Sequence, residues 1–438
     1  MAQESVPAEG CYRGYQGDTL KFLKERGYKV DDCVVVTIGD EYDEFIMPRY
    51  EGFIMPRYEG LDDKHLVLKL EKGYNIGLRT EEITDIQRGT ISKGPRDPPP
   101  PIVKKAGLPK ILLLSTGGTI ASRVDDRTGA VIPEITPEEI AGSVPELSDI
   151  ANIDVENFLS IYSENIEPDH WVKLASRLEK CSGYDGIIVA HGTDTMHYTS
   201  AFLSFALAGF KTPIVLVGAQ KSFDRPSSDG PLNLIGAVQF IVKKNKRGVW
   251  VAMHMDGNDK TIAVHAGTRV RKNHASKRGA FETIGSEPAF LVEENNIDDN
   301  FKRDYFNHKE FTPSIMIDPK IALVKCHPGL DPSIFDHLIN SGYKGIILEG
   351  TGMGHVPKSL YYVIENAISM KIFVGMTTQC IDGTVNMNVY ESGRDLLRLG
   401  VVPLEMISET ALVKAMWVAG QKVNMKDMML KNVASEVP

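Results

Sequence analysis

The sequence has no long apolar run, no paired-cysteine motif and no excess of basic residues. Its hydrophobic stretches fall short of the ~18 residues needed to cross a bilayer, so we expect no membrane span. The five cysteines include no Cys-x-x-Cys pair, which favours reduced thiols over a disulfide framework. The formal net charge of -9 argues against a chain that binds nucleic acid by itself through a basic surface.

Other signals of function are missing as well. The sequence contains no G-x-x-x-x-G-K-[ST] phosphate loop and no cluster of residues with metal-ligand spacing, so we expect no cofactor and no metal in this chain. The first residues have neither the basic start nor the apolar stretch of a secretory signal. We therefore expect no signal peptide and a cytoplasmic location.

The chain of 438 residues is too long for one ordinary core, and its composition changes along its length. Short β-like runs predict a small β-barrel-like domain over residues 1–92. Dense prolines over residues 93–108 are typical of a semi-rigid linker. Alternating strands and helices then predict two α/β domains with parallel sheets, over residues 109–313 and 320–438. We expect an irregular connection near residues 293–313.

Two threonine-glycine motifs each follow an apolar run that is typical of a buried strand. TGGTIAS occupies residues 116–122 and AHGTDT occupies residues 190–195. Open parallel sheets bind ligands at the carboxyl ends of their strands, and glycines let backbone N–H groups approach a developing oxyanion. Hydroxyls from Thr119 and Thr193 and the carboxylate of Asp194 would line such a site. This arrangement favours acyl chemistry with Thr119 as the nucleophile.

A threonine hydroxyl needs a base before it can attack a carbonyl carbon. Lys272, within RVRKNH at residues 269–274, is our candidate because it follows a strand-like run in the same domain. A desolvated lysine beside Asp194 could take a proton from a threonine hydroxyl. On spacing alone, Arg271 and Lys277 are equally basic alternatives.

Two histidines and one Ser-Glu pair have competing interpretations. His191 and His197 suggest a Ser-His-Asp arrangement, but we favour structural roles for both, near a strand end and in the first turn of the next helix. Ser163 and Glu164 could hold the charged end of an amino-acid substrate. The alternative is that Ser163 merely caps a helix.

These motifs, together with VGAQ and DGPLNL within residues 217–234, resemble those of the bacterial-type L-asparaginases from about residue 109 to the C-terminus. The resemblance implies an asparaginase-like body of two parallel-sheet domains. It also implies a homodimer in which the neighbouring C-terminal domain completes each site, with residues 350–354 at the dimer contact. The implied catalytic residues are Thr119, Thr193, Asp194 and Lys272, and the implied substrate-binding residues are Ser163, Glu164, Gly118 and Gly192.

The N-terminal part of the chain points to a more specific family. KLEKGYNIGL at residues 69–78, joined by a proline linker to the asparaginase-like body, resembles the family of archaeal glutamyl-tRNA(Gln) amidotransferase D subunits. This implies a glutaminase that supplies ammonia to an E subunit in a heterotetramer. The E subunit would bind tRNA(Gln), ATP and Mg, and would convert Glu-tRNA(Gln) to Gln-tRNA(Gln).

One departure from the asparaginase pattern lies after the first motif. Asparaginases commonly have a tyrosine in the mobile loop there, but residues 122–134 contain none, and Asp126 or Val131 lies at that place. We expect backbone N–H groups near Gly118 and Thr193 to stabilise the oxyanion. Two alternatives stay open: a free-standing L-asparaginase, and a non-catalytic scaffold that binds an amino acid.

Overall fold

The computed structural model describes residues 11–12, 14–39, 48–55, 63–70, 75–91, 104–118, 120, 123–124, 131–132, 136–142, 144–221, 228–258, 260–294, 296–300 and 311–437. Buried apolar side chains in these residues form three separate clusters, one in the N-terminal domain and two in the α/β body. None of the described helices is both long enough and apolar enough to cross a membrane.

In its described residues, the N-terminal domain is a five-stranded antiparallel sheet with one helix. In chain order it contains α1 (Gly17–Arg26), β1 (Cys33–Ile38), β2 (Arg49–Ile54), β3 (His65–Leu70), β4 (Asn75–Arg79) and β5 (Ile83–Arg88). The strand order is β4-β3-β2-β1-β5, so the two edge strands are β4 and β5. Because only the 3₁₀ turn Thr80–Glu82 joins these edges, the sheet must curl on itself. This agrees with the expected small β-rich domain.

The first α/β domain is built on an eight-stranded sheet of order β17-β16-β13-β12-β11-β10-β6-β9. Strands β9, β6, β10, β11 and β12 are parallel, whereas β13, β16 and β17 are antiparallel to their neighbours. Two hairpins, β7–β8 and β14–β15, lie outside it. The strands are β6 (Lys110–Gly117), β7 (Arg123–Val124), β8 (Val131–Ile132), β9 (Asn152–Ile161), β10 (Gly186–Ala190), β11 (Ile214–Val217), β12 (Val249–His254), β13 (Thr261–Ala266), β14 (Val270–Lys272), β15 (Phe281–Thr283), β16 (Phe290–Glu293) and β17 (Asn296–Asp299).

Among the described residues of this domain, five helices accompany the sheet: α2 (Pro137–Gly142), α3 (Leu147–Ile150), α4 (Pro168–Leu178), α5 (Met196–Ala206) and α6 (Gly230–Lys244). Helix α4 buries Trp171, Leu174, Ala175 and Leu178, the spacing of one apolar face. Strands β10, β11 and β12 are buried throughout, as expected when both faces of a parallel sheet are covered. The parallel α/β prediction is confirmed for this core. The expectation of irregular structure from residue 293 onward is wrong for β17, which pairs with β16 as a polar edge strand.

The second α/β domain has a four-stranded parallel sheet of order β18-β19-β20-β21. Its elements are β18 (Ile321–Lys325), α7 (Ser333–Asn340), β19 (Gly345–Gly350), α8 (Tyr361–Ser369), β20 (Phe373–Thr378), α9 (Glu391–Leu399), β21 (Val402–Pro403), α10 (Ser408–Ala419) and α11 (Met425–Leu430). Helix α10 packs on α5 of the first domain, where Trp417 stacks on Phe205 with ring centroids 5.6 Å apart. The buried apolar side chains of α10 therefore belong to a cluster that joins the core of the eight-stranded sheet to one face of the four-stranded sheet.

Candidate active site

The two threonine-glycine motifs leave the sheet side by side. Strands β6 and β10 are parallel neighbours, with Ser115 paired to Ala190, so the loops that follow them emerge at the same edge. The Thr116 hydroxyl donates a hydrogen bond to the Ala190 carbonyl at 3.0 Å and ties the two strand ends together. Both motifs thus lie where an open sheet presents its ligand-binding loops.

Glycine is required where these loops meet. Gly118 has φ +78°, and a Cβ added to it would lie 2.2 Å from Gly192 Cα. A Cβ on Gly192 would in turn lie 2.6 Å from the Cβ of Ser163. The Gly118 N–H donates to the Ile161 carbonyl at 3.2 Å; the expectation that N–H groups near Gly118 stabilise an oxyanion stays a prediction. The glycines bring three backbone segments into contact.

Lys272 joins the second motif through two hydrogen bonds. Its Nζ donates to Thr193 Oγ1 at 2.7 Å and to Asp194 Oδ1 at 2.6 Å. The lysine side chain is only 8% exposed, whereas that of Asp194 is 65% exposed. Thr193 is buried, so its hydroxyl and the ammonium meet where water is largely excluded and a hydrogen bond to a charged group is strong.

The other two basic candidates do not reach this group. Arg271 forms a bidentate ion pair with Glu409 on α10. The Lys277 ammonium lies 3.6 Å from a carboxylate oxygen of Glu282, and both side chains are about half exposed. Among these three residues, the structure brings Lys272 to Thr193.

His191 is fully buried and completes a chain of hydrogen bonds. The Trp171 indole donates to Thr199 Oγ1 at 3.0 Å, Thr199 Oγ1 lies 2.8 Å from His191 Nε2, and His191 Nδ1 lies 2.7 Å from the Gly192 carbonyl. Because the carbonyl can only accept, Nδ1 carries the proton and Nε2 accepts from the threonine. Burial lowers the pKa of His191 to about 4. The neutral ring orients the loop, which confirms its structural role.

His197 also has the structural position expected of it. It lies in the first turn of α5, and burial, the largest cause, lowers its pKa to about 4. The charges that act on it belong to Glu409, Arg271, Lys272 and Asp194. The neutral imidazole therefore lies close enough to the Arg271–Glu409 and Lys272–Asp194 ion pairs to experience the charges of both.

The remaining predicted residues are only partly described. Ser163 is buried in the 3₁₀ turn Ser163–Asn165, and its carbonyl accepts a hydrogen bond from Thr195 Oγ1 at 2.6 Å. Glu164 follows it on the exposed side of the turn. Thr119, the expected nucleophile, lies outside the described residues, as does Asp126, and the side chain of Val131 is not described either.

Sequence reasoning missed the residues that hold the loop after β11. The buried Asp229 carboxylate accepts hydrogen bonds from the N–H groups of Gln220 and Lys221 at 2.9–3.0 Å. Asn233 Nδ2 donates to the Gly218 carbonyl at 3.0 Å. A Cβ on Gly218 would lie 2.8 Å from the Thr193 methyl group, so this loop supports Thr193 from behind. The DGPLNL segment was the available signal.

The charged and polar groups of the site indicate which reaction it can support. A cationic lysine, a buried hydroxyl and an exposed carboxylate can exchange protons at a carbonyl centre. In the ranges that the structure describes, no three His, Cys, Asp or Glu side chains converge to hold a metal ion.

Three known family descriptions match most of the chain. Residues 110–304 match the family described as "Asparaginase, N-terminal", residues 320–429 the "Glutaminase/Asparaginase C-terminal domain", and residues 44–88 the "GatD N-terminal domain".

Individual relatives extend this finding. The chain is 44% identical over 434 residues to the D subunit of glutamyl-tRNA(Gln) amidotransferase from Pyrococcus abyssi, with 95% of this chain and 97% of the relative covered. The D subunit from Methanopyrus kandleri is 42% identical over 441 residues, with 97% and 94% covered. Among solved structures, the thermostable L-asparaginase from Thermococcus kodakarensis superposes with a TM-score of 0.69 at 32% identity, covering 75% of this chain and 99% of the asparaginase.

Proposed function

The chain belongs to the family of archaeal glutamyl-tRNA(Gln) amidotransferase D subunits, and on that premise we propose that it is the glutaminase subunit of such an enzyme. It hydrolyses the side-chain amide of glutamine and supplies the ammonia to an E subunit. The observation that carries this proposal is the contact of the Lys272 ammonium with Thr193 and Asp194.

The hydrolysis proceeds in two halves. The Thr119 oxygen forms a bond to the amide carbon, the C–N bond breaks, and the proton of the hydroxyl reaches the leaving nitrogen, so that ammonia departs. Water then attacks the threonyl ester, regenerates the hydroxyl and releases glutamate. Thr193, Lys272 and Asp194 carry the protons in both halves.

Lys272 is well located for this proton transfer. It donates to Thr193 and Asp194 at once. Once the proton that faces Asp194 has passed to the carboxylate, rotation of the amine about its Cε–Nζ bond turns the lone pair to the threonine hydroxyl. The N–H of Thr193 has no acceptor among the described residues. We assign this N–H to the oxyanion.

The assembly follows from the same premise. Two copies of the chain form a homodimer core, and two E subunits complete a heterotetramer in the cytoplasm. The E subunit holds ATP and Mg and makes most of the contacts with tRNA(Gln). Exposure of Met353, at 42%, within residues 350–354 supports that segment as the dimer contact.

A free-standing L-asparaginase is the second candidate, and the likeness to the Thermococcus kodakarensis L-asparaginase favours it. The two functions predict different dependence on a partner. An amidotransferase subunit turns over glutamine efficiently only with the E subunit, ATP and Glu-tRNA(Gln). An asparaginase hydrolyses asparagine without them.

The test is ammonia release from glutamine and from asparagine, by the purified chain alone and in the full mixture. Glutaminase activity that rises sharply in the mixture supports the proposal. Fast asparagine hydrolysis that ignores the additions makes the chain an asparaginase. Binding of amino acid with no turnover in any mixture makes it a scaffold.

A matched pair of substitutions tests the proton relay formed by Thr193, Lys272 and Asp194. Thr193→Val keeps the shape of the side chain but removes the hydroxyl, and Thr193→Ser keeps the hydroxyl. We expect the valine variant to lose about 100-fold or more in kcat and the serine variant to retain most of it. Unchanged ammonia release by the valine variant contradicts the relay.

A further inference from the structure

Lys272 lies on a short strand with few ladder hydrogen bonds. Strand β14 has three residues and pairs with β15 in a separate two-stranded sheet. Such a pair is marginally stable by itself, and here Val270 and Phe281 hold it to the main core. These apolar contacts do not fix the direction of the Lys272 side chain. The carboxylate of Asp194 cannot fix the lysine either, because that side chain is 65% exposed and an exposed ion pair is weak.

Arg271, next to Lys272, supplies a directional polar attachment. Neighbouring side chains on a strand point to opposite faces, and Arg271 points toward helix α10 of the second domain. Its Nε and Nη2 donate to the two carboxylate oxygens of Glu409 at 2.9 and 2.7 Å. The side chains are only 12% and 15% exposed. A bidentate, largely buried pair of this kind fixes direction as well as distance.

A second contact holds the same segment to the same helix. The Thr410 hydroxyl, next to Glu409, donates to the Thr268 carbonyl at 2.8 Å. Residues 268 and 271 are thus both attached to the first turn of α10. The segment that precedes Lys272 in the chain is therefore attached to α10 at two residues.

Helix α10 also supports the other half of the site. It packs on α5, and α5 begins directly after the segment that carries Thr193 and Asp194. His197, neutral and buried in the first turn of α5, is acted on by the charges of both ion pairs. One helix of the second domain therefore contacts both the segment that carries the lysine and the helix that follows the threonine.

We propose that Arg271 and Glu409 form an inter-domain strut that positions Lys272 against Thr193 and Asp194. Both are positioning residues for the amide hydrolysis, and in this respect the inference rests on the proposed function. Breaking the strut leaves substrate binding intact but moves the ammonium away from the threonine hydroxyl.

The kinetic test uses Glu409→Gln, which keeps the size of the side chain and removes its charge. Because a displacement of about 1 Å can cost about 100-fold in rate, we expect kcat for glutamine in the full mixture to fall by about that factor, with KM little changed. If Glu409→Gln fails to fold, Arg271→Lys replaces it in the test, because lysine keeps the charge but cannot form the bidentate pair of hydrogen bonds. The reversed pair Arg271→Glu with Glu409→Arg should recover much of the activity that Arg271→Glu alone loses.

A matched control is available in the same domain. Arg177 and Glu156 form another bidentate pair, at 2.9 and 2.6 Å, on helix α4 and strand β9. Glu156→Gln should lower stability without changing kcat. If Glu156→Gln and Glu409→Gln lose the same stability and also the same kcat, the proposed role of the Arg271–Glu409 pair is overturned.

A second readout does not depend on catalysis. Acetic anhydride labels accessible amines, and the rate at which Lys272 is labelled can be followed by mass spectrometry of its peptide. We expect a several-fold faster rate in Glu409→Gln and the wild-type rate in Glu156→Gln. Wild-type labelling together with wild-type kcat in Glu409→Gln and Arg271→Lys overturns the strut. Absence of glutamine turnover in the wild type would instead count against the proposed function, and the labelling rates would still decide the strut.

Discussion

Lys272 and Lys414 are shielded from water in different ways, and replacing each by methionine should separate chemistry from stability. Lys272 is 8% exposed and faces the exposed Asp194. Lys414 on α10 is 0% exposed, as is its partner Glu436, with the two charges 2.6 Å apart. The Lys414 ammonium also donates to two backbone carbonyls, at 2.9 and 2.6 Å.

The expected magnitudes differ because the partners differ. In Lys272→Met the Asp194 carboxylate remains hydrated, and a pair with so exposed a member contributes about 0–1 kcal/mol to the free energy of unfolding. Loss of a proton relay, however, costs about 10²- to 10⁴-fold in rate. In Lys414→Met the Glu436 carboxylate stays buried without its countercharge, which typically costs about 3–5 kcal/mol.

The assay compares urea denaturation and kcat for both variants in parallel. We expect Lys272→Met to unfold at nearly the wild-type urea concentration with kcat lower by about 1,000-fold. Lys414→Met should unfold at clearly lower urea, while its folded fraction keeps far more activity than Lys272→Met does. If Lys272→Met were active, or if it were as unstable as Lys414→Met, the assignment of Lys272 to chemistry would be refuted.

Two further predictions concern the glycine contact and the buried histidines. Gly118→Ala should lose about 100-fold or more in kcat, because its Cβ would lie 2.2 Å from Gly192 Cα. Gly183→Ala has a similar φ of +79° but open space around it, so it should cost only about 1–2 kcal/mol in stability and no activity. Equal kcat losses in the two variants would contradict the contact argument. Burial lowers the pKa of His191 to about 4 and that of His265 to about 3, so between pH 6.5 and 4 the unfolded chain binds protons that the folded chain does not. Stability should therefore fall with decreasing pH across that window, approaching about 1.4 kcal/mol per pH unit for each histidine, and a urea midpoint that is constant from pH 7 to pH 5 would contradict it.

The sequence was most informative where burial imposes a simple pattern. The strands of the parallel core are short apolar runs because helices cover both faces, so β10 and β11 could be predicted to within a residue or two. Strand β17 could not, because its NIDD sequence is polar and its pairing depends on β16. The loop glycines stood out because few other residues fit such a contact.

The choice among basic residues shows where sequence reasoning ends. Arg271, Lys272 and Lys277 have the same charge and nearly the same position in the chain. Their roles are separated by strand alternation on β14 and by a carboxylate 138 residues away, in Glu409. Neither the face of a three-residue strand nor a partner in another domain can be derived from local spacing.

Helix α10 connects these observations. Its apolar side chains belong to the cluster that joins the cores of the two sheets, and its polar first turn holds the segment before Lys272. The lysine and the threonine reach the site from different elements, so their separation depends on a third element that contacts both. The C-terminal domain therefore contributes to the proposed glutaminase site within a single chain, before any contact with a second copy.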